Sequence, residues 1–139
     1  MLEVRKERTG WRDERISFRH RQWGWDCPGV DLDWLFLEYD QGKAVAIVEY
    51  KHEKAGSLSL AHPTYQAMID LSNRAGIPCF VVRYADDFSW WLATAMNAKG
   101  MRWIPRPQRM TEQEWVTFLY RIRGRELPQE VMKAISVLA

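Results

Sequence analysis

A chain of 139 residues is long enough to bury one substantial core, and a single domain over 1–139 is expected. Hydrophobic residues at 47% and charged residues at 27% exclude a disordered or fibrous protein. No apolar run approaches the roughly 20 residues needed to cross a bilayer, and the N-terminal stretch is charged where a signal peptide would be apolar. A cytoplasmic protein without a membrane partner is the expectation.

The net charge of +2 identifies no partner, but its distribution is uneven. Arg5, Lys6, Arg8, Arg12, Arg15, Arg19, His20 and Arg21 crowd the beginning of the chain, and Arg102, Arg106 and Arg109 form a second basic group. Both groups suit phosphate contacts. Residues 7 to about 21 fit a helix with Trp11, Ile16 and Phe18 as its apolar contacts and a strongly basic polar face. Gly24, Pro28 and Gly29 break that pattern. Cys27 and Cys79 lack the paired spacing of a zinc site and read as structural.

Residues 30–39 and 43–51 read as two strands joined by Asp40, Gln41 and Gly42. This composition suits a three-residue hairpin loop with the glycine in the left-handed conformation. Tyr39 then faces Lys43, and counting back sets Asp33 opposite Glu49 and Asp31 opposite Lys51, all on one face. Leu35, Leu37, Val45 and Ile47 continue that face, while Leu32, Trp34, Phe36, Ala44, Ala46 and Val48 form the other. Apolar residues on both faces imply a sheet covered on both sides.

Pro63 opens a helix marked by Tyr65, Met68, Ile69 and Ser72 and stopped by Gly76 and Pro78. Residues 79–84 form a short buried strand, 88 to about 94 form another with Trp90 on one face, and 97–100 form a turn. Thr111 and Glu114 make a capping box ahead of Trp115, Phe118, Leu119 and Ile122, with Gly124 ending the helix. After Pro128, residues Val131, Ala134, Ile135 and Leu138 mark a last amphipathic helix. The fold class expected is α/β, a central mixed sheet flanked by helices. Trp34 and Trp115 sit at core spacing, whereas Trp23 and Trp25 are open to other roles.

Phosphodiester hydrolysis uses a divalent cation to offset phosphate charge and to lower the pKa of an attacking water. Hard carboxylate oxygens suit magnesium, which commonly binds through one or two protein carboxylates. Asp33 and Glu49 would supply them, the Tyr50 carbonyl would be a third protein ligand, and Lys51 would hold the attacking water or stabilise developing charge. Burying these charges beside apolar residues without partners would be costly.

Asp33 followed by Glu49, Tyr50 and Lys51 at the end of the next apolar strand resembles the PD-(D/E)XK nuclease superfamily. Restriction endonucleases, Holliday-junction resolvases and RecB-like exonucleases share its core. The order helix, hairpin, helix, strand over residues 9 to 84 is similar to that core. The resemblance implies a restriction-endonuclease-like fold, a magnesium cofactor for which manganese substitutes, and hydrolysis of DNA in preference to RNA. It further implies that Asp33 and Glu49 are the metal-binding acids, Lys51 the catalytic lysine, Glu14 an acid on the first helix, and Gln66 an orienting glutamine.

The sequence departs from the name-giving pair in that Asp31 follows Val30 and Asp33 follows Leu32. Asp33 is the favoured first acid, with Asp31 as a neighbouring ligand or as its replacement in a shifted register. Arg12, Arg15, Arg19, His20, Arg21 and His52 are the expected contacts to nucleic acid, although His52 also reads simply as an exposed strand-end residue. A homodimer would suit cleavage of both strands. The competing expectation is a non-catalytic protein that keeps the fold to bind nucleic acid or protein.

Overall fold

The computed structural model describes residues 15–24, 26, 32–56 and 59–138. The chain divides into two compact units, Met1–Asp31 and Leu32–Ala139. In the first, α1 spans Arg15–Gln22 and carries no acidic residue in its first turn, while Arg19, His20 and Arg21 occupy its last turn. Basic side chains there face the negative end of the helix dipole. The His20 and Trp23 rings lie 4.4 Å apart, and Arg21 sits 6.0 Å from the Phe18 ring. Ile16 and Phe18, expected to be apolar contacts, are exposed. Arg12, Glu14 and Asp31 lie outside the described residues, as do Trp11 and Cys27.

The second unit is a five-stranded sheet in the order β1-β2-β3-β4-β5, with the chain running β1 Trp34–Glu38, β2 Lys43–His52, α2 Pro63–Ala75, β3 Cys79–Tyr84, β4 Trp91–Ala95, α3 Ala98–Trp103, β5 Gln108–Met110, α4 Glu112–Ile122 and α5 Gln129–Leu138. β2 and β3 are parallel and joined across α2, whereas the remaining pairs are antiparallel. The fold is thus α/β with a mixed sheet and flanking helices.

The β1–β2 connection differs from the expected loop. Tyr39–Gln41 form a 3-10 turn closed by Gly42 in the left-handed region (φ 59°, ψ 34°), so the first paired residues are Glu38 and Lys43. A bulge between Phe36 and Leu37 then skips Val45, because Leu37 pairs with Ala44 and Phe36 with Ala46. The longer loop and the extra bulge residue compensate, and the ladder reaches Trp34 opposite Val48. The register at the candidate site is therefore the expected one, reached by another route. The bulge also moves Val45, expected beside Ile47, onto the opposite core.

Ala46, Val48, Phe80, Val82, Trp115 and Phe118 build the larger core beneath α4. Ile47, Cys79, Tyr65 and Met68 build the smaller one beneath α2. The sheet is covered on both faces at β2 and β3, as expected. Edge strand β1 is not: Trp34, Leu35 and Leu37 are exposed.

Residues 97–100, expected as a turn, instead begin α3. Asn97 caps it by accepting the Gly100 N–H at 2.8 Å, and the same oxygen accepts the Cys79 N–H at 3.0 Å. Its amide donates to the Ile77 carbonyl at 2.9 Å and to Asn73 at 3.2 Å. Asn97 thus ties α2, β3 and α3 together. A Cβ on Gly100 would lie 2.8 Å from the Cys79 carbonyl oxygen, which explains why glycine suits that close approach. The capping box of α4 forms as expected. β4 starts later than expected because Phe88 takes a positive φ of 61° in a turn in which its N–H meets the Ala85 carbonyl. α5 forms, but Leu138, expected on its covered face, is exposed.

Candidate active site

Asp33 immediately precedes β1, and Glu49 and Lys51 lie near the end of β2. One step beyond the Trp34–Val48 pair sets Asp33 beside Glu49. The Asp33 Oδ2 accepts the Tyr50 backbone N–H at 3.2 Å, which holds the carboxylate against the neighbouring strand. Lys51 points to the same side, its Nζ 3.4 Å from Glu49 Oε1. The structure therefore brings Asp33, Glu49 and Lys51 together.

Glu49 is 9% exposed. Burial, then the adjacent carboxylate of Asp33, push it above the ordinary carboxylate value, with Lys51 opposing. Lys51 moves upward as well. The neighbouring Tyr65 side chain is the largest cause, burial opposes it, and Glu49 adds to it. The Lys51 Nζ sits 5.7 Å from the centre of the Tyr65 ring. Lys51 is thus held as an ammonium, a donor and a positive charge rather than a proton acceptor.

Tyr65 escaped the sequence reading as a site residue, although its helical spacing had placed it on the sheet-facing side of α2. Its neighbour Gln66 points elsewhere: the side chain is exposed and its amide donates to the Leu60 carbonyl. Among the described residues, no hydrogen bond or ion pair joins Gln66 to Asp33, Glu49 or Lys51. The structure does not bring Gln66 together with those three residues; one helical position turns the side chain by about 100° from Tyr65.

His52 does not join the three site residues. Strand alternation sends it to the face opposite Lys51, where its ring meets Tyr84 at 5.6 Å. Its Nδ1 accepts the Lys54 N–H at 3.1 Å and its Nε2 lies 2.8 Å from Asp86, so it is engaged within the chain. Tyr50 turns to that face too, as expected, its hydroxyl accepting the Trp115 indole N–H at 3.1 Å. Burial pushes that phenol up to about 12.

Arg83 was missed. It pairs in register with Lys51, and its guanidinium donates to the carbonyls of His52, Glu53, Ala55 and Gly56. These bonds shape the chain leaving β2 just beyond the acids. The only signal in the sequence was an arginine in an otherwise apolar strand. On α1, Arg15, Arg19, His20 and Arg21 are exposed, while Arg12, Glu14 and Asp31 lie outside the described residues.

Two adjacent carboxylates, one of them buried and disfavoured as an anion, form a donor set that a hard divalent cation would stabilise. The described residues contain no group of three His, Cys, Asp or Glu side chains arranged to hold a metal. No helix among the described residues is long and apolar enough to cross a membrane. Comparison with protein-family models, curated proteins and solved structures returns no match for this chain.

Proposed function

We propose that this protein is a magnesium-dependent nuclease of the restriction-endonuclease-like type, hydrolysing phosphodiester bonds in DNA in preference to RNA. The observation that carries the reading is the convergence of Asp33, Glu49 and Lys51 at the ends of paired strands, with Glu49 buried and destabilised as an anion. The order α1, β1–β2, α2, β3 supports it as well.

Asp33 and Glu49 would hold the magnesium, manganese serving in its place, and the Tyr50 carbonyl is the proposed third protein ligand. The ion, when bound, would supply charge neutralisation at the phosphate and a lowered pKa for water. Lys51, a fixed ammonium, orients the attacking water and stabilises the charge that builds on the phosphate oxygens. Tyr65 keeps Lys51 charged and in place. The exposed basic residues of α1 contact the phosphate backbone without reading bases.

A purified sample and its Lys51→Ala variant, incubated with labelled single-stranded, duplex and branched DNA and with RNA, test this reading. Cleavage in magnesium or manganese, none in chelator, and a loss of about 10²–10³ in the variant are expected. The rival is a nucleic-acid- or protein-binding protein without catalysis, against which the convergence of Asp33, Glu49 and Lys51 argues. Absence of cleavage on every substrate by folded protein would decide for that rival.

A further inference from the structure

The face of the sheet opposite Glu49 and Lys51 carries a row of aromatic residues across four strands: Trp34 on β1, Tyr50 on β2, Tyr84 on β3 and Trp91 on β4. Trp34, Tyr84, Trp91 and Trp115 each meet the Tyr50 ring nearly at right angles, with ring centres 6.1–6.5 Å away. With the first turns of α4 they enclose an open pocket of about 450 Å³, whose one carboxylate is Glu112. That volume is in the range of small-molecule sites.

We propose that this pocket binds a small organic cation bearing a quaternary ammonium group, held among the rings of Trp34, Tyr50 and Trp91 and by the carboxylate of Glu112. Aromatic faces carry negative potential and attract cations that are weakly hydrated. Glu112 adds a full negative charge and makes no hydrogen bond or ion pair with any other side chain among the described residues. Burial disfavours its ionised form, a cost that a bound cation would offset.

The lining argues against an anionic ligand. No lysine or arginine contributes to it. Two of its three indole N–H groups are already engaged, that of Trp91 with the Phe88 carbonyl and that of Trp115 with the Tyr50 hydroxyl. A phosphate-bearing ligand would bring like charge to Glu112. The positive end of the α4 dipole lies nearby, so removing the Glu112 charge would leave the pocket less hospitable to a cation than a neutral apolar site.

The proposal stands apart from the nuclease reading and is tested without it. Choline and its uncharged isostere 3,3-dimethylbutan-1-ol are titrated into the full chain, with tryptophan fluorescence and calorimetry as readouts. Saturable choline binding, with the isostere weaker by about tenfold, is expected; a full charge–ring interaction is of that order. Glu112→Gln and Trp34→Ala should each weaken choline by about three- to tenfold with an unchanged circular dichroism spectrum. Equal binding of choline and isostere would make this a plain apolar pocket and overturn the proposal. Failure of choline to bind the folded wild type would overturn it too. Saturation by adenosine, with no response to choline, would identify a base-stacking site instead.

Discussion

Glu38 and Glu49 are buried carboxylates in one hairpin, and their pKa values move in opposite directions. Arg125, its Nη2 2.6 Å from Glu38, draws Glu38 below the usual value of 4.5, with Arg123 adding to it and burial opposing. Its contribution to stability is present above the unfolded value and is lost as pH falls through the depressed folded value. Glu38→Gln should therefore melt at a lower temperature than wild type at pH 7, and the gap should close in strong acid. Glu49 carries the reverse sign. Its folded pKa lies above 4.5, so its stabilising effect is complete below the unfolded value and is lost as pH rises through the folded one. Glu49→Gln is expected to raise the melting temperature at pH 7 in chelator while abolishing cleavage, with the stability gain shrinking below pH 4.5. A variant that is less stable would mean that the ion pair of Glu49 with Lys51 outweighs the cost of burying its charge. The acids and Lys51 were legible in the sequence because they belong to one hairpin, where alternation and turn chemistry decide who meets whom. Tyr65 and Arg83 were not, since they arrive through α2 and the parallel β3, whose register against β2 leaves no local trace.

Hairpin, helices and caps were legible to different degrees, for reasons that lie in their local chemistry. The Thr111–Glu114 box and the Pro63 and Gly76 ends name α4 and α2 directly, because each satisfies backbone groups that a helix end leaves open. The bulge at Val45 had no signal, as a β-branched residue in a β-rich run fits a regular ladder equally well. α3 was hidden for another reason. Its segment, Ala98–Trp103, is short and includes Gly100, a poor helix former, and it exists because Asn97 binds β3 and the end of α2 as well as its own cap. Asn97→Ala removes that cap and leaves the buried Cys79 N–H without its partner. The expected cost is about 2–3 kcal/mol, read as a lower midpoint in urea with an unchanged slope. A change under 0.5 kcal/mol, roughly the effect of a neutral surface substitution, would remove the three-way tie from the account of the fold.

At the scale of the molecule, the sheet and both of its cores lie within Leu32–Ala139, whereas the basic residues of α1 belong to Met1–Asp31. Stability and nucleic-acid affinity should therefore separate. Arg19→Ala combined with Arg21→Ala removes two exposed charges and should leave the urea midpoint of the protein unchanged. If both contact phosphates, duplex binding measured in chelator loses two counterion-releasing contacts, and the slope of log K against log salt becomes shallower by about 1.8. The loss should be uniform across DNA sequences, because phosphate contacts carry no base information. Cleavage offers an independent reading of the same variant: with Asp33, Glu49 and Lys51 intact, kcat should persist while KM rises in proportion to the lost affinity. An unchanged salt slope would confine Arg19 and Arg21 to a solvated helix face and move the phosphate-binding role to the second basic group, Arg102, Arg106 and Arg109. A fall in kcat with KM unchanged would instead mean that α1 acts on the chemical step.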